Sequence, residues 1–281
     1  MTTYKSAVFE RLFRSRWNPT TGKFDGGSIV MLEDITKEIE FHNQHSDRAV
    51  SDRNPANFFK DYIRQINLAN RNWPQFVVDQ GYTAHQRTGG GQAFEFTPMR
   101  PGQNEPFPKL VPPTGLKPTL IQSLSILPLA RQLGRKEETW LMQVVANLHI
   151  VEAHFAINSQ SHNLDYAELL QLSVKQTRAE IDGLYISRDT SGDSSIICIE
   201  AKIRDDIYPM QVFAQVEAVR SMRGLREQGI KRIIPLAIKV VARSTIYIAE
   251  FPSVPFAGVA ILEGEPAIHA LYQITPEVNG I

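Results

Sequence analysis

The sequence predicts an α/β fold: a mixed sheet flanked by helices in the second part of the chain, preceded by a smaller region of helices and a hairpin. Three observations carry that expectation. From residue 137 onward, runs rich in branched apolar residues alternate with helical patterns. One helical stretch, 209–229, lies between two apolar strands and reads as the crossover of a parallel pair. Between the two regions runs "PMRPGQNEPFPKLVPPTGLKP", residues 98–118, which holds seven of the chain's 17 prolines. Such a stretch is unsuited to regular structure and reads as a connector. The expected domains are 1–110 and 111–281.

Residues 1–50 read as irregular, with turns in "NPTTGKFDGGS" and one short helix in "VMLEDITKEIEFHNQ". A clearer helix begins at Asn54, which stands at the cap position with Pro55 at the first helical position. Phe58, Phe59, Tyr62, Ile63 and Ile66 then recur at helical spacing. "WPQFVVDQG" predicts a second short helix, stopped by Gly81. "YTAHQRTGGGQAFEFTP" reads as a hairpin, two short strands around a triple glycine.

Beyond the prolines, "RKEETWLMQVVANLH" predicts a helix with Leu141, Val144, Val145 and Leu148 on one face. "IVEAHFAI" predicts a strand by its alternation and branching. Further strands fall at 178–187 and 195–203. The crossover helix is opened by Pro209 and closed by Gly229, with Val212, Val216 and Val219 inward. "IKRIIPLAIKVV", "TIYIAEF" and "GVAILEG" complete the sheet.

Composition excludes several classes. The 281 residues are 42% hydrophobic and 21% charged, and no apolar run approaches the roughly 20 residues that span a bilayer. "MTTYKSAVFERLFRSRW" lacks the apolar segment of a signal peptide. The lone Cys198 rules out an internal disulfide framework and fits a reducing compartment, so a cytoplasmic protein without a membrane partner is expected. Thirty acidic side chains balance thirty basic ones, which argues against a non-specific basic coat for nucleic acid and leaves local patches open.

The chemistry concentrates in "AEIDGLYISRDTSGDSSIICIEAKI", residues 179–203. Side chains alternate across a strand, so Ile197, Ile199, Ala201 and Ile203 form one apolar face. The opposite face runs Ile196, Cys198, Glu200, Lys202, apolar at its start and charged at its end. In the preceding strand Asp182 comes before the apolar Leu184 and Ile186. A hairpin across "SRDTSGDS" brings the charged start of one strand beside the charged end of the other. Asp182, Glu200 and Lys202 are thus expected to converge at a rim of the sheet open to water. Two neighbouring carboxylates repel unless a cation sits between them. Mg²⁺ fits, since it takes one or two carboxylates and otherwise keeps waters or phosphate oxygens. A lysine beside it can orient or deprotonate a water and offset charge on phosphate. A rim salt bridge with no chemistry is the alternative.

Asp182, followed 18 positions later by Glu200-Ala201-Lys202 within a helix, three strands, a helix and a strand, resembles the PD-(D/E)XK nuclease superfamily. Members with a comparable extra domain are mostly type II restriction endonucleases. The resemblance covers roughly 135–240, and Ile181 stands where the motif's name has proline. It implies that Asp182 and Glu200 bind Mg²⁺ and that Lys202 is the catalytic lysine. It also implies a glutamate on the first core helix, for which Glu137, Glu138 and Glu152 compete, with Glu138 preferred. Gln211 and Gln215, one turn apart on the crossover helix, resemble a polar pair that flanks some of these sites, and are expected on DNA. The implied activity is sequence-specific cleavage of double-stranded DNA by a homodimer, with a companion methyltransferase acting on the same site. The alternatives are a repair or junction-resolving nuclease, or a catalytically dead DNA-binding protein of the same fold.

The helix-helix-hairpin order of residues 54–98 suggests a winged-helix-like reading head. Arg64, Arg71, His85 and Arg87 are its candidate DNA contacts, being of types that pair with phosphates or base edges. "RTGGGQAF" lacks the Lys-Ser/Thr of a nucleotide loop and reads as a hairpin tip. His149 and His154 have neither zinc spacing nor cysteine partners and are expected on a solvent-facing strand. Cys198 is expected as an inert core thiol.

Overall fold

The structure, a computed structural model, describes residues 4–51, 54–63, 68–87, 90–159, 162–175, 180–260 and 263–281. The chain divides into two compact units, Met1–Pro108 and Lys109–Ile281, the proline-rich stretch being shared between them. Among the described residues, no helix is long and apolar enough to cross a membrane.

The first unit opens with a helix, α1 (Tyr4–Arg14), where irregular chain was expected. Its Val8, Phe9, Leu12 and Phe13 fall on one helical stripe, and all are buried. A small hairpin follows, β1 (Trp17–Asn18) and β2 (Lys23–Phe24), then β3 (Ile29–Met31) and α2 (Leu32–His45), the helix its sequence predicts. A 3₁₀ turn, Pro55–Asn57, leads into α3 (Phe58–Ile63); Asn54 holds the cap position, but its side chain makes no capping hydrogen bond. Next come α4 (Leu68–Asn72), α5 (Gln75–Asp79) and the expected hairpin, β4 (Tyr82–Gln86) and β5 (Gln92–Pro98). The three longer strands form an antiparallel sheet in the order β3-β5-β4. Phe9 centres an aromatic core, its ring 4.9–5.4 Å from those of Phe58, Tyr62, Trp73 and Phe94.

The second unit runs β6 (Pro118–Gln122), α6 (Pro128–Leu133), α7 (Glu138–Asn147), α8 (Ile150–Ile157), β7 (Leu164–Lys175), β8 (Glu180–Asp189) and β9 (Ser194–Lys202). It continues with α9 (Pro209–Arg220), α10 (Arg223–Glu227), β10 (Arg232–Ala242), β11 (Thr245–Glu250), β12 (Val254–Pro255) and β13 (Ile268–Thr275). The sheet has the order β6-β13-β11-β10-β9-β8-β7, with β12 beside β10. It is mixed, because β10 pairs with β9 and β13 with β6 in parallel while the other neighbours are antiparallel. The β9–β10 crossover passes through α9, as predicted, although the helix breaks near Ser221 and resumes as α10.

Two strand expectations fail for identifiable reasons. "IVEAHFAI" is α8, because Ile150, Val151, His154 and Phe155 form one buried helical stripe as well as an approximate alternation. The first of the three strands is instead β7, an edge strand with mostly exposed or half-buried side chains, so its sequence carries little apolar signal. The described part of "GVAILEG" is not a strand either, and β13 closes the sheet in its place. The parity reading holds. Ile197, Ile199 and Ala201 pack with Leu141, Val144 and Val145 of α7, whereas Ile196 and Cys198 pack with Val212, Val216 and Val219 of α9.

Candidate active site

β8 and β9 run antiparallel, with Leu184 opposite Cys198 and Gly183 opposite Ile199. One step further, at Asp182 and Glu200, the ladder stops. The Ala201 N–H donates to Asp182 Oδ2 at 2.7 Å, so the side chain takes a backbone group that the strand would otherwise pair. Gly183 matters to the neighbouring layer. A Cβ there would lie 2.5 Å from Met142 Cε, so α7 approaches the sheet closely here through the flexible end of Met142. That approach brings Glu138, in the first turn of α7, to the end of β9.

The three expected residues and Glu138 do meet. Lys202 Nζ lies 2.9 Å from Glu200 Oε1, 3.1 Å from Glu138 Oε1 and 4.0 Å from Asp182 Oδ2, and donates to the Ala201 carbonyl at 2.9 Å. The expectation of an open rim is corrected. The side chains of Lys202 and Glu200 are each 9% exposed and that of Asp182 15%, because α7 and α9 cover the two faces of the sheet here. Glu138, at 43%, is the member that reaches water.

This setting is electrostatically strained. Burial, together with the Glu200 charge, pushes the Asp182 carboxyl up to about 7, against the pull of Lys202. Burial alone would lower the Lys202 ammonium; Glu200, Asp182 and Glu138 outweigh it and raise the group above its usual value. Lys202 is therefore a fixed positive charge suited to donating hydrogen bonds, and the role of removing a proton from water does not suit it in this state.

Gln215 is the expectation the structure revises most. It is 1% exposed, too deep to touch DNA, and its Nε2 donates to Glu200 Oε2 and, at 3.3 Å, to the Glu180 carbonyl. Gln215 Oε1 is buried with no hydrogen-bond partner. Gln211 closes the start of α9, its Oε1 accepting from the Tyr208 N–H at 3.0 Å. Of the other glutamates, Glu137 holds the cap position of α7 without a capping hydrogen bond from its side chain and lies 4.0 Å from Arg135, and Glu152 on α8 accepts from His149 at 3.1 Å.

In the first unit, Arg71 is exposed on α4 and His85 half-buried on β4. Arg87 forms an ion pair with Glu95 at 2.6 Å across the hairpin. Arg64 lies outside the described residues.

Sequence reasoning missed a second polar cluster. His154 is not solvent-facing; it is wholly buried, with Nε2 3.0 Å from Glu250 Oε2 and Nδ1 3.1 Å from the Tyr272 hydroxyl. His162 Nε2 and the Ser159 hydroxyl reach Glu250 Oε1 at 3.0 and 2.8 Å. Burial would raise the Glu250 carboxyl, but the hydrogen bonds from His154, His162 and Ser159 draw it down to about 2. This network ties α8 to β11 and β13. Cys198 is fully buried, and burial pushes its thiol up to about 12, the inert state expected of it.

Among the described residues no group of three or more His, Cys, Asp and Glu side chains forms a ready metal cage. Mg²⁺ does not require one, since it binds through one or two carboxylates and keeps waters. Asp182 and Glu200 supply that donor set, and the raised Asp182 carboxyl marks a place where added positive charge is favourable. No family model, curated protein or solved structure matches this chain.

Proposed function

We propose that the protein is a Mg²⁺-dependent, sequence-specific DNA endonuclease of the PD-(D/E)XK type, comparable to type II restriction enzymes. The observation that carries the reading is the meeting of Asp182, Glu200 and Glu138 around Lys202 at the end of two central strands. Charges are placed there at a cost in stability, and functional sites are where carboxyls perturbed by burial and like charge cluster. Asp182 and Glu200 would hold Mg²⁺, which when bound would polarise a phosphate oxygen and acidify water. Gln215 fixes the orientation of Glu200 from behind. Lys202 donates toward the solvent-accessible side at Glu138 and offsets negative charge as the phosphodiester is attacked. In the proposed hydrolysis water adds to phosphorus and the P–O3′ bond breaks, leaving a 5′-phosphate and a 3′-hydroxyl.

The first unit supports a DNA-reading role by its topology. Apart from the β1–β2 hairpin, its order of helix, strand, helices and hairpin, with the early strand beside the later hairpin strand in the order β3-β5-β4, resembles that of a winged helix. The test is incubation of the full-length protein with a set of plasmids in Mg²⁺ and in chelator. Discrete fragments in Mg²⁺ alone are expected. Absence of cleavage, or cleavage in chelator, overturns the assignment; a smear overturns sequence specificity. Retention of DNA without fragments would favour the dead-site alternative.

A further inference from the structure

We propose that Lys239 and Lys109, gathered by Asp206, form a seat for a backbone phosphate of DNA beside the cluster of Asp182, Glu200, Glu138 and Lys202. This seat rests on the nuclease reading and adds to it a contact surface in the unit Lys109–Ile281. In the parallel β9–β10 ladder Lys239 stands opposite Lys202 and Ala237 opposite Glu200, so the two lysines lie side by side on one face of the sheet. Neighbouring strands are about 4.7–4.9 Å apart, which puts the backbone of Lys239 one strand away from the carboxylate cluster. The chain that leaves β9 after Lys202 returns a carboxylate to this corner. Asp206 Oδ1 accepts from Lys239 Nζ at 2.6 Å, and Oδ2 accepts from Lys109 Nζ at 3.2 Å. Lys109 is held there by its neighbour, because the Leu110 N–H donates to the Ile207 carbonyl at 2.9 Å.

The chemistry of the corner suits an anion with several acceptor oxygens. An ammonium carries three N–H donors, and among the described residues each of these lysines gives one, to Asp206, which leaves two apiece. Both Asp206 oxygens are engaged, so one carboxylate spaces and aims two ammonium groups without neutralising both. Burial would raise the Asp206 carboxyl, but Lys239 and Lys109 hold it below its usual range, and it stays charged. Arg204, two residues past Lys202, is exposed and has no partner among the described residues, while Asp205 beside it is half-buried. Three cations thus stand against two carboxylates in this corner, whereas three carboxylates surround the single Lys202 next to it. DNA has to be drawn toward carboxylates that repel it, and an excess of positive charge beside them does so. The side chains of Lys239 and Lys109 are 15% and 36% exposed, so each keeps a side open to an incoming phosphate. As a purely structural device the corner gains little, since a part-buried ion pair adds little over apolar packing. On the next strand Tyr247 stands opposite Lys239, buried and hydrogen-bonded to His269, so the positive character ends at β10.

Fluorescence anisotropy of a labelled DNA duplex with the full chain, in chelator and over about 50–200 mM salt, tests this without any cleavage. Each phosphate contact contributes about 0.9 to the slope of log affinity against log salt. Lys239→Gln and Lys109→Gln should each lower the slope by about that much, so across this range the wild type loses about 3–4-fold more affinity than either variant. Lys231→Gln, just before the opposite end of β10, should leave the slope unchanged. Lys109 lies outside the sheet, so its variant covers the case in which Lys239→Gln fails to fold. A slope indifferent to both lysines overturns the proposal, as does a fall shared equally by Lys231→Gln or a wild type that does not retain DNA. Slopes that fall as expected in a protein that cuts no plasmid would uphold the seat and count against the nuclease reading alone.

Discussion

Replacing Asp182 with asparagine should stabilise the metal-free protein while ending any cleavage. The folded carboxyl titrates near 7 instead of the usual 3.8 because burial and Glu200 oppose its charge. Between those two values the folded state retains a proton that the unfolded chain has released, so wild-type stability falls as pH rises through that window. Above about 7 the full penalty is present, at most about 4 kcal/mol from the separation of the two pKa values. Asparagine keeps an oxygen for the Ala201 N–H and carries no charge to desolvate, the pull of Lys202 being already contained in the value near 7. A net gain of about 1–3 kcal/mol at pH 8 is therefore expected, roughly 2–12 °C in Tm for a unit of this size. At pH 3, below the ordinary value of the carboxyl, the difference should nearly vanish. Thermal unfolding in chelator at both pH values measures it. A variant less stable than wild type at pH 8, or one whose advantage does not depend on pH, refutes the electrostatic account. It would mean that Asp182 and Lys202 form a stabilising ion pair. Added Mg²⁺ should then raise the Tm of wild type and leave that of the variant unchanged.

Lys202→Met should abolish cleavage and cost about 3 kcal/mol at neutral pH, because three carboxylates lose their cation, yet calorimetry should still find Mg²⁺ binding. Gln215→Leu should weaken Mg²⁺ binding about 10- to 100-fold by freeing Glu200, and unchanged affinity by calorimetry would remove Gln215 from the site. Glu250→Gln should cost about 3 kcal/mol at pH 7 in denaturant unfolding. The contribution of Glu250 is whole above its ordinary 4.5 and disappears as pH falls toward about 2, so variant and wild type should converge in acid. Arg71→Ala should lower the salt slope of DNA binding by about one unit if it contacts phosphate; an unaltered salt dependence and sequence preference would take α4 out of the reading surface.

The charged strand pair was legible because a period of two is unforgiving: once Ile196 and Cys198 are assigned to one face, Glu200 and Lys202 must share it. The depth of the site was not, since exposure there depends on how α7 and α9 pack over the two faces of the sheet, which no local pattern sets. Gln215 was expected beside the site, with Gln211, but as a contact to DNA. What buries it is Glu200, fifteen positions earlier, and no periodicity encodes that partner. The Glu250 cluster lies further out of reach, since His154 and Glu250 are 96 positions apart. α1, by contrast, was readable in Val8, Phe9, Leu12 and Phe13, and was missed because the turn-rich stretch after it set the expectation for the whole segment.

The parallel pairing of β6 with β13 has a consequence for the growing chain. Pro118 lies opposite Leu271 and Gln122 opposite Thr275, so the first strand of the sheet waits for the last. At roughly 5–20 residues per second, about 150 residues of synthesis leave β6 without its neighbour for something like 8–30 s. During that interval Leu120 and the leucines after it face solvent on nascent chain with no sheet behind them. A ribosome-bound fragment ending before Ile268 should therefore recruit chaperones that a released full-length chain, with β13 in place, does not.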